Sequence, residues 1–145
     1  MGFRAQVRAA AVSLLTDYAA SRVPPVKLQV YPGRPRSIHA PCAFVDTIAE
    51  RVAYRGPVLM SRAPAAEIVL VHGLYDSKEA VDAADEFVDG FLDWVAARHD
   101  AADANTIVGI GAVVDDPTFV NDWVRPEEQR TWFATRITLE GFALD

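Results

Sequence analysis

The stretch Glu67-Ile68-Val69-Leu70-Val71 constrains this chain more than any other. Apolar residues occupy both alternating faces, so a strand here must be covered on two sides and belongs at the centre of a sheet. The residues after it restrict the fold further. Beyond His72-Gly73-Leu74-Tyr75, Asp76 can cap a helix, with Glu79 three residues on to reach back to the cap. Val81, Ala84, Val88, Phe91 and Val95 then recur at steps of three and four, widened by Phe87, Leu92 and Trp94. That spacing predicts a helix over about 77–98 with one buried face.

The flanking segments read in the same way. Phe3, Val7, Ala10, Leu14 and Tyr18, with Ala11 and Leu15 beside them, predict a helix from Phe3 to about Arg22. Pro24-Pro25 ends it, because proline lacks the backbone donor and restricts its predecessor. Arg4 and Arg8 stand at the end of this helix where the dipole disfavours cations, so they face either a partner or solvent. Lys27–Tyr31 alternates as a strand, and Pro32-Gly33-Arg34-Pro35-Arg36 is a loop by its punctuation. Pro41 opens a second strand through Phe44 to Tyr54, closed by Gly56-Pro57. Within it, residues 47–54 also suit two helical turns, and the interspersed β-branched residues favour strand. A short run at Val58-Leu59-Met60 precedes Pro64. Asn105–Val114 reads as a strand, with Gly109 and Gly111 at a bulge or a close backbone approach. Asp115-Asp116-Pro117 turns the chain, Phe119–Arg125 forms a short arm, and Trp132–Phe142 alternates as a last strand. Phe133, Ile137 and Leu139 should be buried, and Arg136, Thr138 and Glu140 should meet solvent or a partner. Strands that succeed one another without intervening helices predict an α+β fold: a mostly antiparallel sheet carrying two helices, in a single domain over 1–145.

Composition narrows the function classes. Half of the 145 residues are apolar (51%), which a disordered segment does not show. One cysteine, Cys42, forms no internal disulfide and no cysteine zinc cluster. No apolar run is long enough to span a membrane, and Met1–Arg8 has no cleavable apolar core, so the chain is expected to be soluble. A net charge of −6 argues against a general grip on nucleic acid.

Catalytic constellations are not evident. His72-Gly73 at a strand end invites comparison with a hydrolase oxyanion loop, but no serine stands in a nucleophile elbow. His39, His72 and His99 occur singly, without metal-ligand spacing. Gly109-x-Gly111 lacks the rest of a dinucleotide fingerprint. Asp82, Asp85, Glu86, Asp89 and Asp93 share one helical face, which is a solvated face, a divalent-ion wall or a lumen surface that repels a polyanion. Arg34 and Arg36 on the proline-stiffened loop, and Trp123 and Arg125 between two turn signals, are the residue types that anchor interfaces. No cofactor or metal is expected.

In this order — amphipathic first helix, Pro24-Pro25, a strand with Val30-Tyr31-Pro32, a strand leading into the Asp76–Arg98 helix, a final Trp132–Leu139 strand — the chain resembles the tail terminator proteins of long-tailed bacteriophages, of the minor tail protein U type. The resemblance implies an α+β virion subunit that forms a homo-oligomeric, six-membered ring on the tail tube. Such a ring stops tube polymerisation, offers a surface to the head-completion or connector protein, and lets DNA pass without binding it. It carries no catalytic or metal motif, so the four interface candidates and the acidic face stand on residue type and spacing alone. The competing expectation is a small cytosolic α+β enzyme or ligand-binding domain, a dimer, with His72, Tyr75 and Cys42 as its pocket residues.

Overall fold

The fold is given by a computed structural model that describes residues 2–39, 41–54, 56–57, 60–74, 78–99, 111–115, 118–120, 127 and 131–140. It is α+β. The helices are α1 (Phe3–Ser21) and α2 (Lys78–His99), and the strands are β1 (Gln29–Tyr31), β2 (Cys42–Tyr54), β3 (Met60–Leu74), β4 (Gly111–Asp115), β5 (Thr118–Val120) and β6 (Thr131–Glu140). They form one sheet in the order β1-β2-β3-β6-β4, with β5 pairing on the other end of β6. Among the described residues only β1 and β2 run parallel; every other pair is antiparallel.

β3 is the central strand, as its two-sided apolar pattern requires. Ala66, Ile68 and Leu70 point to the helices and join Val7, Leu15, Tyr18, Val88 and Phe91 in the main core. Val69 and Val71 point the other way and join Cys42, Phe44, Ala134 and Ile38 in a second cluster. Both helices therefore lie on one face of the sheet, and the segment carrying Ile38 contributes to covering the opposite face.

Several expectations need correction. Met60, the last residue of the 58–60 run, already belongs to the central strand, while Val58 and Leu59 fall outside the described residues. Pro64 lies inside that strand. Proline is tolerated there because pairing with β6 begins only at Ala65, so among the described residues β3 has a single neighbour at that point. Residues 47–54 are strand, as their β-branched content favours. Arg4 keeps much of its side chain in solvent and Arg8 is half-buried, and both reach back to their own sheet. The ladder from β2 to β3 slips between Val45 and Ile48, where β2 has one extra residue, and the freed carbonyls collect arginine donors. Arg8 donates to the carbonyls of Val45, Asp46 and Pro32, and Arg4 to that of Ile48. Arg4 also lies 3.6 Å from Glu50, whose side chain is only 7% exposed. Charge-assisted hydrogen bonds of about 1.5–3 kcal/mol each outweigh the dipole penalty of about 0.3–1 kcal/mol, so the tertiary contact sets the position of these cations.

The last strand also differs in part. Ile137 and Leu139 are buried against the helices as expected, but Ala134 is buried on the opposite face and Trp132 packs beside it. Only the Arg136–Glu140 end keeps a polar second face. The predicted Asp76–Glu79 cap, Asn105–Ile110, and the turn at Asp116-Pro117 fall outside the described residues. Of the predicted arm, Phe119 and Val120 belong to β5.

Candidate functional site

Among the described residues, an exposed stretch of the sheet lies at the far end of the β2–β3 pair. β1 pairs with β2 only at Cys42–Phe44, and β6 pairs with β3 only from Ala65 on. Beyond those limits β2 and β3 continue together, from Glu50↔Pro64 through Arg51↔Ala63, Val52↔Arg62 and Ala53↔Ser61 to Tyr54↔Met60. At its base Glu50 is met by Arg4 of α1 and Pro64 is buried, but from Arg51 on, among the described residues, this ribbon has no third strand against it. Arg51, Val52, Ala53 and Tyr54 are all exposed, Val52 by 41% and Tyr54 by 79%. Consecutive strand residues point to opposite faces, so both faces of the ribbon meet solvent. At its tip Gly56 has φ +94°, a left-handed conformation that favours glycine. Sequence patterning misses the ribbon's exposure, because Val52 and Tyr54 look like one buried face of a strand. The Gly56-Pro57 turn between two strand-like runs is the signal that could have found it.

Arg34, one of the predicted interface residues, is turned onto its own sheet. Its guanidinium contacts the Asp46 carboxylate at 2.9 Å and lies 5.8 Å from the centre of the Phe44 ring. It fastens the loop over the second core cluster. Arg36 also has an interaction within the chain. Trp123 and Arg125 lie outside the described residues.

The acidic stripe is exposed along α2: Asp82, Asp85, Glu86, Asp89 and Asp93 all face away from the core. Glu86 lies 3.9 Å from Arg22. Among the described residues no group of three or more His, Cys, Asp or Glu side chains is placed to hold a metal ion.

A second feature joins two of the three predicted pocket residues. A cleft of about 210 Å³ between the 26–28 segment, the end of β3 and α2 is lined by Val26, Leu28, Cys42, Val71, His72 and Phe87, among others. His72 is the extra residue where the β3–β6 register slips between Val71 and Gly73. The slip lets its Nε2 meet the buried Thr135 hydroxyl at 2.9 Å, while its ring packs against Phe133 at 5.2 Å between centres. Cys42 is fully buried, and desolvation pushes its thiol up to about 11, against a weaker opposing hydrogen bond from the His39 backbone. A thiol held neutral at physiological pH is a poor nucleophile, so the two side chains share a cleft without the electrostatics of a Cys–His pair. Tyr75, the third, lies outside the described residues.

Among the described residues no helix is long and apolar enough to cross a membrane. No protein-family model matches the chain, and no curated protein matches it.

Proposed function

We propose that this chain is a structural ring subunit of the phage tail-terminator kind. It would cap the tail tube in the virion, stop its polymerisation, present a joining surface to a head-completion protein and let DNA through without holding it. One observation carries the assembly part of this reading: the exposed two-stranded ribbon. A two-stranded ribbon is marginal by itself in water, and one with aromatic and aliphatic groups on open faces gains most from a second surface. A ribbon that seats on a different patch of the next copy makes a heterologous contact, the type that closes into a ring where the rotation between copies closes. The net charge of −6 is consistent with a channel that does not retain DNA. The tube-capping part rests on the resemblance to tail terminators in the order and size of the elements.

The cleft holding His72 and Cys42 favours the second reading, a small cytosolic enzyme or ligand-binding domain. Native mass spectrometry and negative-stain imaging of the purified chain, alone and with tail tubes, separate the two. A closed oligomer with sixfold views, formed alone or on the tube end, is the expected result. A monomer or two-fold dimer under every condition, carrying a small molecule in the cleft, would refute the ring.

A further inference from the structure

We infer that the cleft between the 26–28 segment, the end of β3 and α2 is a binding site for a small neutral aromatic molecule, a substituted ring or two fused ones. This goes beyond the assembly reading and holds whether or not copies of the chain close into an oligomer. Size sets the first limit. An apolar cavity of about 150 Å³ takes a benzene molecule, so the cleft's volume of about 210 Å³ leaves room for substituents or a second fused ring. The lining sets the second limit. Val26, Leu28, Leu70, Ala84 and Phe87 are apolar, and apart from the neutral Cys42 thiol, His72 is the one polar side chain among the described lining residues. Water finds few partners on such walls and is readily displaced by an apolar group.

The walls are held before any ligand arrives. The Val26 amide donates to the Ala19 carbonyl at 3.1 Å, which ties the 26–28 segment to the end of α1. The register slip that makes His72 an extra residue turns its imidazole toward Thr135 and Phe133, which fix it. A preformed site loses little freedom on binding. The same surroundings select the occupant. Phe87 and His72 present two flat side chains, and ring contacts stabilise beyond the area they bury, so a flat molecule is favoured over an alkyl chain of equal volume. An anion is disfavoured, because Asp82 and Glu86 stand exposed immediately before Ala83 and Phe87 of the lining. A cation is disfavoured at Phe87, whose ring the Arg22 guanidinium already approaches to 5.6 Å.

Four probes test this: indole, a neutral fused pair of rings; benzoate, an anionic ring; phenethylamine, a cationic one; and hexanol, a neutral chain. Saturation-transfer NMR and calorimetry on the purified full chain read binding, and native mass spectrometry of the same samples reads assembly separately. Indole should bind, and each of the other three should bind at least about tenfold more weakly. Ala84→Leu fills the cleft from α2 and should weaken indole at least about tenfold. Ala83→Leu, at an exposed position in the lining, should act in the same direction at less risk to folding. Circular dichroism and thermal midpoint establish which variants fold. Indole binding that the folded variants leave unchanged, or a preference for any of the other three probes, overturns the inference. So does indole that binds only after Tyr54→Ala, which would assign the cleft to the ribbon tip of a second copy. A closed oligomer that takes no indole in either background overturns this inference alone, and indole bound to a chain that never closes a ring overturns the assembly reading alone.

Discussion

Replacing Gly90 by alanine tests the seam between the two helices. On helix propensity alone the change should stabilise α2 by about 1 kcal/mol. The structure predicts the opposite sign. A Cβ at Gly90 would lie 2.5 Å from the Tyr18 hydroxyl oxygen and 2.9 Å from an Arg22 nitrogen. Arg22 can swing aside, but Tyr18 cannot do so freely. It is 3% exposed, donates to the Phe87 carbonyl at 2.7 Å, and its ring sits 5.0, 5.3 and 5.9 Å from those of Phe87, Phe91 and Trp94. Ordinary contact at about 3.5 Å requires the phenol to retreat by roughly 1 Å, and overpacking of that kind costs about 1–3 kcal/mol. The net expectation for Gly90→Ala is a loss of about 1 kcal/mol. Tyr18→Phe removes the colliding oxygen and leaves Cζ as the nearest carbon, at an unstrained 3.6 Å. In that background Gly90→Ala should become neutral or stabilising, giving a coupling of about 1–3 kcal/mol in a double-mutant cycle. Guanidinium unfolding followed by tryptophan fluorescence measures all four corners. If Gly90→Ala stabilises by about 1 kcal/mol in both backgrounds, the helices do not meet at this point and the seam is wrong.

Two further predictions concern the edge of the sheet. Arg8→Met keeps the aliphatic stem but strips the donors from the Val45, Asp46 and Pro32 carbonyls; a loss of about 2–3 kcal/mol in unfolding free energy is expected, and a change under about 0.5 kcal/mol would show that the bulge does not need its clamp. Cys42 should resist thiol reagents at pH 8 in the folded protein and react on unfolding. Its folded value of about 11 lies above the unfolded 9.0. The neutral thiol therefore contributes stability that is fully present below pH 9 and lost as pH rises toward 11, and a Cys42→Ala variant should show a flatter stability profile across that window.

The periodic elements are legible in the residue pattern itself. The ends of α1, the buried stripe of α2 and the two-sided burial of β3 come from three- and four-residue steps or from unbroken apolar runs, which report local geometry directly. Distant partners set the rest. Pro64 reads as a break unless the end of the neighbouring strand is known. Arg4 and Arg8 read as misplaced charges until the slipped ladder supplies carbonyls, and Arg34 reads as a free contact until Asp46 and Phe44 arrive beside it. For the candidate site, the spacing places the acidic face of α2 correctly in the open, and it names His72 and Cys42 as pocket residues. It cannot show that one cleft takes both, nor that the ribbon stands uncovered, because exposure depends on where β1 and β6 stop.

The slipped registers have a consequence for the lengths this chain can tolerate. Side chains in a strand alternate, so dropping one residue turns everything downstream to the wrong layer. The extra residue between Val45 and Ile48 is an exception. Without it the ladder would close regularly, with Val45 still opposite Ile68, Ile48 still opposite Ala66, and both still toward the helices. Likewise, losing His72 would bring Val71 and Gly73 into step with Ala134 and Phe133. These two places are where the central sheet has slack. Relatives of this chain can differ by one residue there and keep inside and outside as they are, whereas a deletion between Ile68 and Val71 would turn the sheet inside out.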